Sequence, residues 1–281
     1  MTAARALQRP VVGVRRVVHK GPLVQTRRAG VRWELDLREG IDFAIWLRNC
    51  FEPTTVAAYR RLLRPGAVAV DIGANIGAHT LLLADAVGPT GRVVAFEPSA
   101  VAFARLGVNL GLNPALAERV SAWQTMLLGS NEAPLPAEVI SSWPLLPRRQ
   151  LHPTMPGRLQ PTTGGGHGTL DAALARIGVE AVDLIKLDVD GFEADVLDGA
   201  SETLSRFRPP VLAELAPFVL DGTGRDISEV IERFSAQGYQ LWTLNGARPV
   251  GPTDIDELVR RRASMNVMAC HPRATRRPLA R

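Results

Sequence analysis

The chain has 281 residues, 46% of them hydrophobic, and a formal net charge of +5, which suits one substantial core rather than a fibrous or disordered chain. Residues 1–30 carry six Arg and one Lys with no acid, and residues 271–281 carry four Arg with no acid. The remaining 22 basic residues face all 28 acids, so the body carries about −6. No aromatics are interleaved with the terminal Arg, which argues for solvated arms and against a nucleic-acid partner. Arg15 and Arg16 break the single stretch that could serve as a signal peptide, and no run is long enough to span a bilayer. The expectation is a soluble, cytoplasmic protein with no integral membrane association.

Along the chain, residues 1–30 read as a basic arm, residues 31–272 as a single domain and residues 273–281 as a basic tail. WELDLREGIDFAIWL (33–47) reads as a hairpin or strand pair, followed by a helix from Thr54 to Leu63 and a turn at Pro65 and Gly66. Seven apolar, β-branched runs then read as strands: VAVDIG (68–73), RVVAFEP (92–98), RVSAWQT (119–125), VDLIKLDV (182–189), PPVLAEL (209–215), YQLWTL (239–244) and MNVMAC (265–270). Amphipathic stretches near 77–87, 99–111, 169–178, 192–205, 226–237 and 254–262 alternate with them. Strand, helix, strand repetition with strands apolar on both faces predicts an α/β fold, a mostly parallel sheet with helices on both sides. Residues 126–168, rich in Pro and Gly and without periodicity, interrupt the rhythm; a segment of that length in a compact domain reads as a lid or substrate-specificity insertion. Cys50 and Cys270 have no metal-ligand spacing and read as reduced packing residues.

VAVDIGANIGAHT (68–80) is strand, tight turn and helix. Gly73 and Gly77 let the backbone approach a ligand, and a helix after Gly77 would offer free N–H groups to an anion. Glu97 ends the next strand 20 residues after Gly77, where a carboxylate can accept from both hydroxyls of a ribose. A dinucleotide site wants GxGxxG, its second glycine making room for a pyrophosphate. Here Asn75 fills that slot and Asp71 would repel the phosphates. S-adenosylmethionine (SAM), which has a sulfonium, an ammonium and no phosphate, fits better than NAD.

Five blocks taken together resemble the FkbM-type methyltransferases, SAM-dependent enzymes that act mostly on oxygen: VDIGANIGAHTLLLA (70–84), VVAFEPSAVAFARLGVNLGLN (93–113), TLDAAL (169–174), VDLIKLDVDGFEADVLDGA (182–200) and PPVLAELAP (209–217). The family pattern IKxDxEGxE carries Asp190 here where Glu is usual, and Ala78 stands where a larger residue is common. The resemblance implies a Rossmann-like class I methyltransferase fold, a seven-stranded sheet with its last strand antiparallel. It implies that Asp71, Gly73, Asn75 and Gly77 line the methionine end of SAM, that Glu97 binds the ribose, and that Thr125 and Met126 lie against the adenine.

In such sheets the ligand sits outside the carboxyl ends of the strands. Asp188 and Glu214 close successive strand candidates; on neighbouring strands they would converge beside the methyl group, to bind the acceptor hydroxyl, act as base, or coordinate magnesium. Asp190 and Glu193 have the D-x-x-E spacing of a capping box, and Lys186, on the strand face of Asp188, reads as its ion-pair partner. His79, the single histidine inside a motif, is a candidate catalytic residue, and Trp143 in the insertion a candidate substrate contact. The expected activity is methylation of a hydroxyl on a small molecule: a sugar, glycolipid or polyketide-like natural product. The alternatives are a NAD-dependent oxidoreductase and a catalytically inactive SAM-binding protein. The oligomeric state, a homodimer included, is left open.

Overall fold

The computed structural model describes residues 21–142, 157–223 and 225–273, with residues 8, 11 and 12; Trp143 and most of both basic tails lie outside the described residues. Strands β1 (Leu23–Arg28) and β2 (Val31–Asp36) pair antiparallel around Ala29 and Gly30, both at positive φ, as a two-residue hairpin turn requires. Helix α1 (Gly40–Arg48) follows, then α2 (Pro53–Leu62) with Pro at its start. The hairpin expected over 33–47 is therefore displaced. Trp33 and Leu35 alternate inward on β2, but Phe43, Ala44 and Ile45 are consecutive buried residues on a helix, so the period changes at Gly40 and the pairing partner of β2 lies upstream.

The βα repeat occupies the rest: β3 (Val68–Ile72), α3 (Thr80–Ala86), β4 (Arg92–Phe96), α4 (Ala100–Gly111), α5 (Pro114–Ala117) and β5 (Val120–Trp123). The insertion contributes four short strands, β6 (Thr125–Leu127), β7 (Glu138–Ser142), β8 (Arg158–Pro161) and β9 (Gly166–Gly168). After it come α6 (Leu170–Arg176), β10 (Leu184–Leu187), α7 (Glu193–Asp198), α8 (Ser201–Phe207), β11 (Val211–Leu215) and α9 (Pro217–Thr223). The chain closes with α10 (Ile227–Ala236), β12 (Gln240–Thr243), α11 (Pro252–Arg261) and β13 (Met265–Cys270). The helix expected over 192–205 is two helices. It breaks at Gly199, where a Cβ would lie 2.2 Å from the Leu128 carbonyl oxygen, so the backbone of the insertion occupies the space a continuous helix needs.

The seven sequence-predicted strands form one sheet in the order β12-β13-β11-β10-β3-β4-β5. Only β13 runs against its neighbours. This is the Rossmann-like α/β sheet expected of class I methyltransferases. Helices cover both faces. Val70, Ile72, Val94, Ile185 and Leu187 pack with α6, α7, α8 and α10 on one side, while Ala69, Val93, Leu184, Leu212 and Met268 pack with α1, α2, α3 and the hairpin on the other. Insertion strands β6 and β9 pair parallel, and β7 and β8 antiparallel, outside the main sheet. No helix among the described residues is long and apolar enough to cross a membrane.

The β3–α3 turn locks two strands together. Gly73 has φ +81, and a Cβ there would lie 1.8 Å from the backbone oxygen of Asp188 at the end of β10. Both the conformation and the space demand glycine. Gly73→Ala is therefore expected to destabilise the fold by about 1–3 kcal/mol or more, read as a lowered midpoint in denaturant unfolding, because the obstructing atom is backbone and cannot rotate away.

Candidate active site

The carboxyl ends of β11, β10, β3 and β4 open into a cavity of about 700 Å³. Its polar wall comes from the sheet, and a largely apolar wall, including Ile41, Phe51 and Phe218, comes from α1, the α1–α2 connection and α9. Gly73, Asn75, Glu97, Thr125 and Met126, all predicted from sequence to meet the cofactor, line it, as do Asp188, Glu214 and His79. Asp71 and Gly77 stand behind the wall. Asp71 is fully buried and accepts from Thr80 Oγ1 at 2.6 Å; at Gly77 a Cβ would meet Leu106 at 2.8 Å, so that glycine admits α4 against the loop.

Parallel register sets the charges. Lys186 on β10 lies beside Asp71 on β3, and continuing the β10–β11 register by one residue sets Asp188 beside Glu214. The buried Lys186 ammonium donates to the Gly73 carbonyl at 3.1 Å and lies 3.2 Å from Asp188 Oδ2 and 3.8 Å from Asp71 Oδ1. Burial works against its charge, yet the carboxylates of Asp188, Asp71 and Glu52 raise its pKa above the usual lysine value. Lys186 is thus held as a cation, the ion-pair role its strand position suggested.

Asp188, Asp190 and Glu214 bring one carboxylate oxygen each within 4.8 Å of one another. Burial first, then the Asp188 charge, pushes Glu214 up to about 8 against a hydrogen bond from Ser264. Burial and the charges of Asp188, Glu214 and Glu193 likewise push Asp190 well above the carboxylate range. Asp190 does not cap a helix: α7 begins after Phe192 with no side-chain cap. Only Glu193 behaves as the spacing predicted, reaching back to accept from the Val189 and Gly191 amides at 3.2 and 3.1 Å. Asp190 has φ +50, which turns its carboxyl into the cluster instead of toward the first helical turn.

The glycine loop uses its own amides. Gly73 and Ala74 donate to the Phe96 carbonyl, Gly77 to the Ala74 carbonyl, Asn75 to Glu97 Oε2 at 2.8 Å and Ile76 to the Asn75 side chain. The amides of residues 73–77 are thus satisfied within the protein, and the following helix starts at Thr80. Glu97, buried at the end of β4, also accepts from the Ser99 amide and from Ser141 Oγ, each at 3.0 Å. Its pKa is raised by burial despite these donors.

Sequence reasoning missed Glu52. It lines the cavity from the turn before α2, accepts from Asn266 Nδ2 at 2.7 Å and lies 3.3 Å from His79 Nε2. Burial would raise its carboxyl, but the His79 imidazole, the Asn266 amide and the Lys186 charge hold it at about 2. His79 is itself buried between the rings of Phe51 and Tyr59. Neither ring nitrogen has an aligned hydrogen bond among the described residues; the imidazole backs Glu52. An acid before a proline at a helix start carries no mark of such a place. Ser141 and Asn266 were equally illegible, since pairing across the fold puts them here.

Known proteins supply independent comparisons. A curated relative, methyltransferase sdnD of Sordaria araneosa, is 32% identical over 158 residues, 47% of this chain; the chain spans about 60% of that relative's length. Among solved structures, an FkbM methyltransferase from Methylobacillus flagellatus is 17% identical with a TM-score of 0.44, and the match covers 76% of this chain and 50% of that one. A SAM-dependent O-methyltransferase from Thermotoga maritima is also 17% identical, with a TM-score of 0.46, covering 94% of this chain and 83% of that one. The profile of the methyltransferase FkbM domain matches residues 71–241, the span that holds the glycine loop, Glu97, Lys186 and the carboxylate cluster. The chain belongs to the FkbM methyltransferase domain family.

Proposed function

We propose that the protein transfers a methyl group from SAM to a hydroxyl of a small molecule, a glycolipid or polyketide-like natural product more than a bare sugar. The observation that carries the reading is the division of one cavity. The amides of residues 73–77 are spent inside the protein, leaving no cradle for a pyrophosphate, while a buried carboxylate, Glu97, stands at one end and the Asp188 cluster at the other. Glu97 and Glu214 end strands three sheet spacings apart, about 14 Å, a span that suits a nucleoside joined to an amino acid. The apolar wall of Ile41, Phe51 and Phe218 supports an acceptor with an apolar body.

SAM supplies a methyl group on a positively charged sulfur. Glu97 would hold its ribose, Thr125 and Met126 its adenine, and Gly73 and Asn75 the methionine portion. Asp188, held by Lys186, would accept the proton of the acceptor hydroxyl, and Glu214 beside it would help fix the acceptor oxygen. Alignment of acceptor and methyl carbon supplies much of the rate, up to about 7–11 kcal/mol in favourable cases. Glu52, with His79 behind it, adds fixed negative charge facing the same chamber.

Magnesium at Asp188, Asp190 and Glu214 is a second reading, favoured by their three converging oxygens. Hard oxygen donors suit that ion, and a cation would relieve the repulsion that raises Asp190 and Glu214.

Titration calorimetry is expected to find micromolar binding of S-adenosylhomocysteine and none of NAD; NAD binding alone would overturn the reading. Asp188→Asn and Glu214→Gln are expected to lower turnover about 10²-fold or more with product affinity kept within a few-fold. A magnesium-dependent rise in melting temperature that Asp190→Asn removes would establish the metal, and no rise in the parent protein would exclude it. In metal-free buffer Glu214 keeps in the folded state a proton that the unfolded chain releases near 4.5, up to about 8. Its contribution is full below 4.5 and fades as pH rises toward 8, at most about 1.4 kcal/mol per pH unit. Glu214→Gln should flatten the fall of stability across that window, measured by unfolding at pH 5 and pH 8.

A further inference from the structure

Ser141 comes from the insertion, on β7, yet its hydroxyl donates to Glu97 Oε1 at 3.0 Å, and the Asn75 side chain donates to its carbonyl at 2.9 Å. Both Ser141 and Glu97 are buried and both line the cavity. A carboxylate has about four lone-pair sites. Three are filled: Asn75 N on Oε2, and Ser99 N and Ser141 Oγ on Oε1. A ribose presents two neighbouring hydroxyls, and one open site cannot accept both.

The three donors differ in freedom. The Asn75 amide sits in the tight loop between β3 and α3, and the Ser99 amide belongs to the residue that caps α4 through its own side chain, which accepts from Ala102 N. Neither can withdraw without moving a strand–helix junction. The Ser141 hydroxyl needs one side-chain rotation, while its backbone stays tied to Asn75.

We propose that Ser141 sets cofactor affinity at the ribose end of the cavity: its hydroxyl occupies the Glu97 acceptor site that a ribose hydroxyl takes over on binding. This rests on the reading of Glu97 as the ribose-binding carboxylate. Each nucleoside that binds then exchanges one charge-assisted hydrogen bond for another, and the net gain from the ribose is smaller than an open carboxylate would give. The strand pair β7–β8 is thereby coupled to the ribose end of the cofactor through the Ser141 hydroxyl.

The test is calorimetry of S-adenosylhomocysteine, adenosine and adenine against the full chain and its Ser141→Ala variant. Removing the competing donor should tighten the first two by several-fold, up to about tenfold, and leave adenine within twofold, because adenine has no ribose. Ser141→Thr, which keeps the hydroxyl, should match the parent. If Ser141→Ala melts, Ser141→Cys, close in size and a weak donor, should show the same tightening. Unchanged or weaker binding of adenosine by a folded Ser141→Ala would overturn the inference, the weaker result making Ser141 part of the cofactor's own cradle. Equal tightening of adenine would overturn it too, pointing to general loosening of the cavity. Failure of the parent protein to bind either nucleoside would defeat the reading of Glu97, and this inference with it.

Discussion

A buried ammonium between two strands organises this site. Taking Lys186 out of water costs several kcal/mol unless its charge is met, and three oxygens meet it: the Gly73 carbonyl, Asp188 and, more distantly, Asp71. One contact orients the glycine loop, another holds the carboxylate at the end of β10, and the third faces the buried Asp71 on β3. Only two of the 33 basic residues are lysine, and this position shows why Arg would not serve. A compact ammonium fits between adjacent strands, whereas a planar guanidinium needs a wider, forked set of acceptors. The contact of Gly73 with the Asp188 carbonyl closes the same joint from the backbone side.

That cation also divides the acids into two kinds. Asp188 lies against it, and Asp190 and Glu214, farther along the cluster, feel burial first and then the Asp188 charge, so their protons are held to higher pH. Glu52 receives the opposite treatment, from His79, Asn266 and Lys186 together. The cavity consequently offers fixed negative charge at Glu52 and proton-holding carboxyls at Glu214 and Asp190 within one chamber. Separating titratable groups by environment is how a single fold supplies both binding charge and proton acceptance near neutral pH.

The sheet was legible because parallel strands buried on both faces must be largely apolar, and central runs such as RVVAF and VLAEL met that demand, while the edge runs VSAW and QLWT are only partly buried and more polar. The strand order was not legible: the approach of Asp188 to Glu214 was expected on the condition that their strands are neighbours, and the sheet order places β10 beside β11. Periodicity failed where it changed within a short span: β2 and α1 meet at Gly40, and their apolar residues read as one alternating run. Spacing failed at Asp190, since D-x-x-E describes a capping box only if the first acid has an extended backbone, and here it has φ +50. Asp71 was recognised as part of the motif but sits one layer behind the cavity, its role passing through Lys186 and Thr80. Glu52, Ser141 and Asn266 come from a turn, the insertion and the reversed last strand, and no local pattern carries a contact made across the whole fold.

Backbone strain marks the same place. Among the described residues, seven other than glycine have positive φ, and three of them, Glu52, Asn75 and Asp190, line the cavity. Asn and Asp adopt that region at modest cost, but Glu does not. Glu52 also precedes Pro53, which favours an extended backbone, yet it sits at φ 43 and ψ 67. Strain of about 1–3 kcal/mol persists only where surrounding contacts over-determine it, and Glu52 has Asn266, Thr55 and His79 to do so. A relaxed, extended Glu52 would no longer be directed by those contacts. The strain therefore serves to keep a charged carboxylate facing the chamber in which the sulfonium and the acceptor would meet.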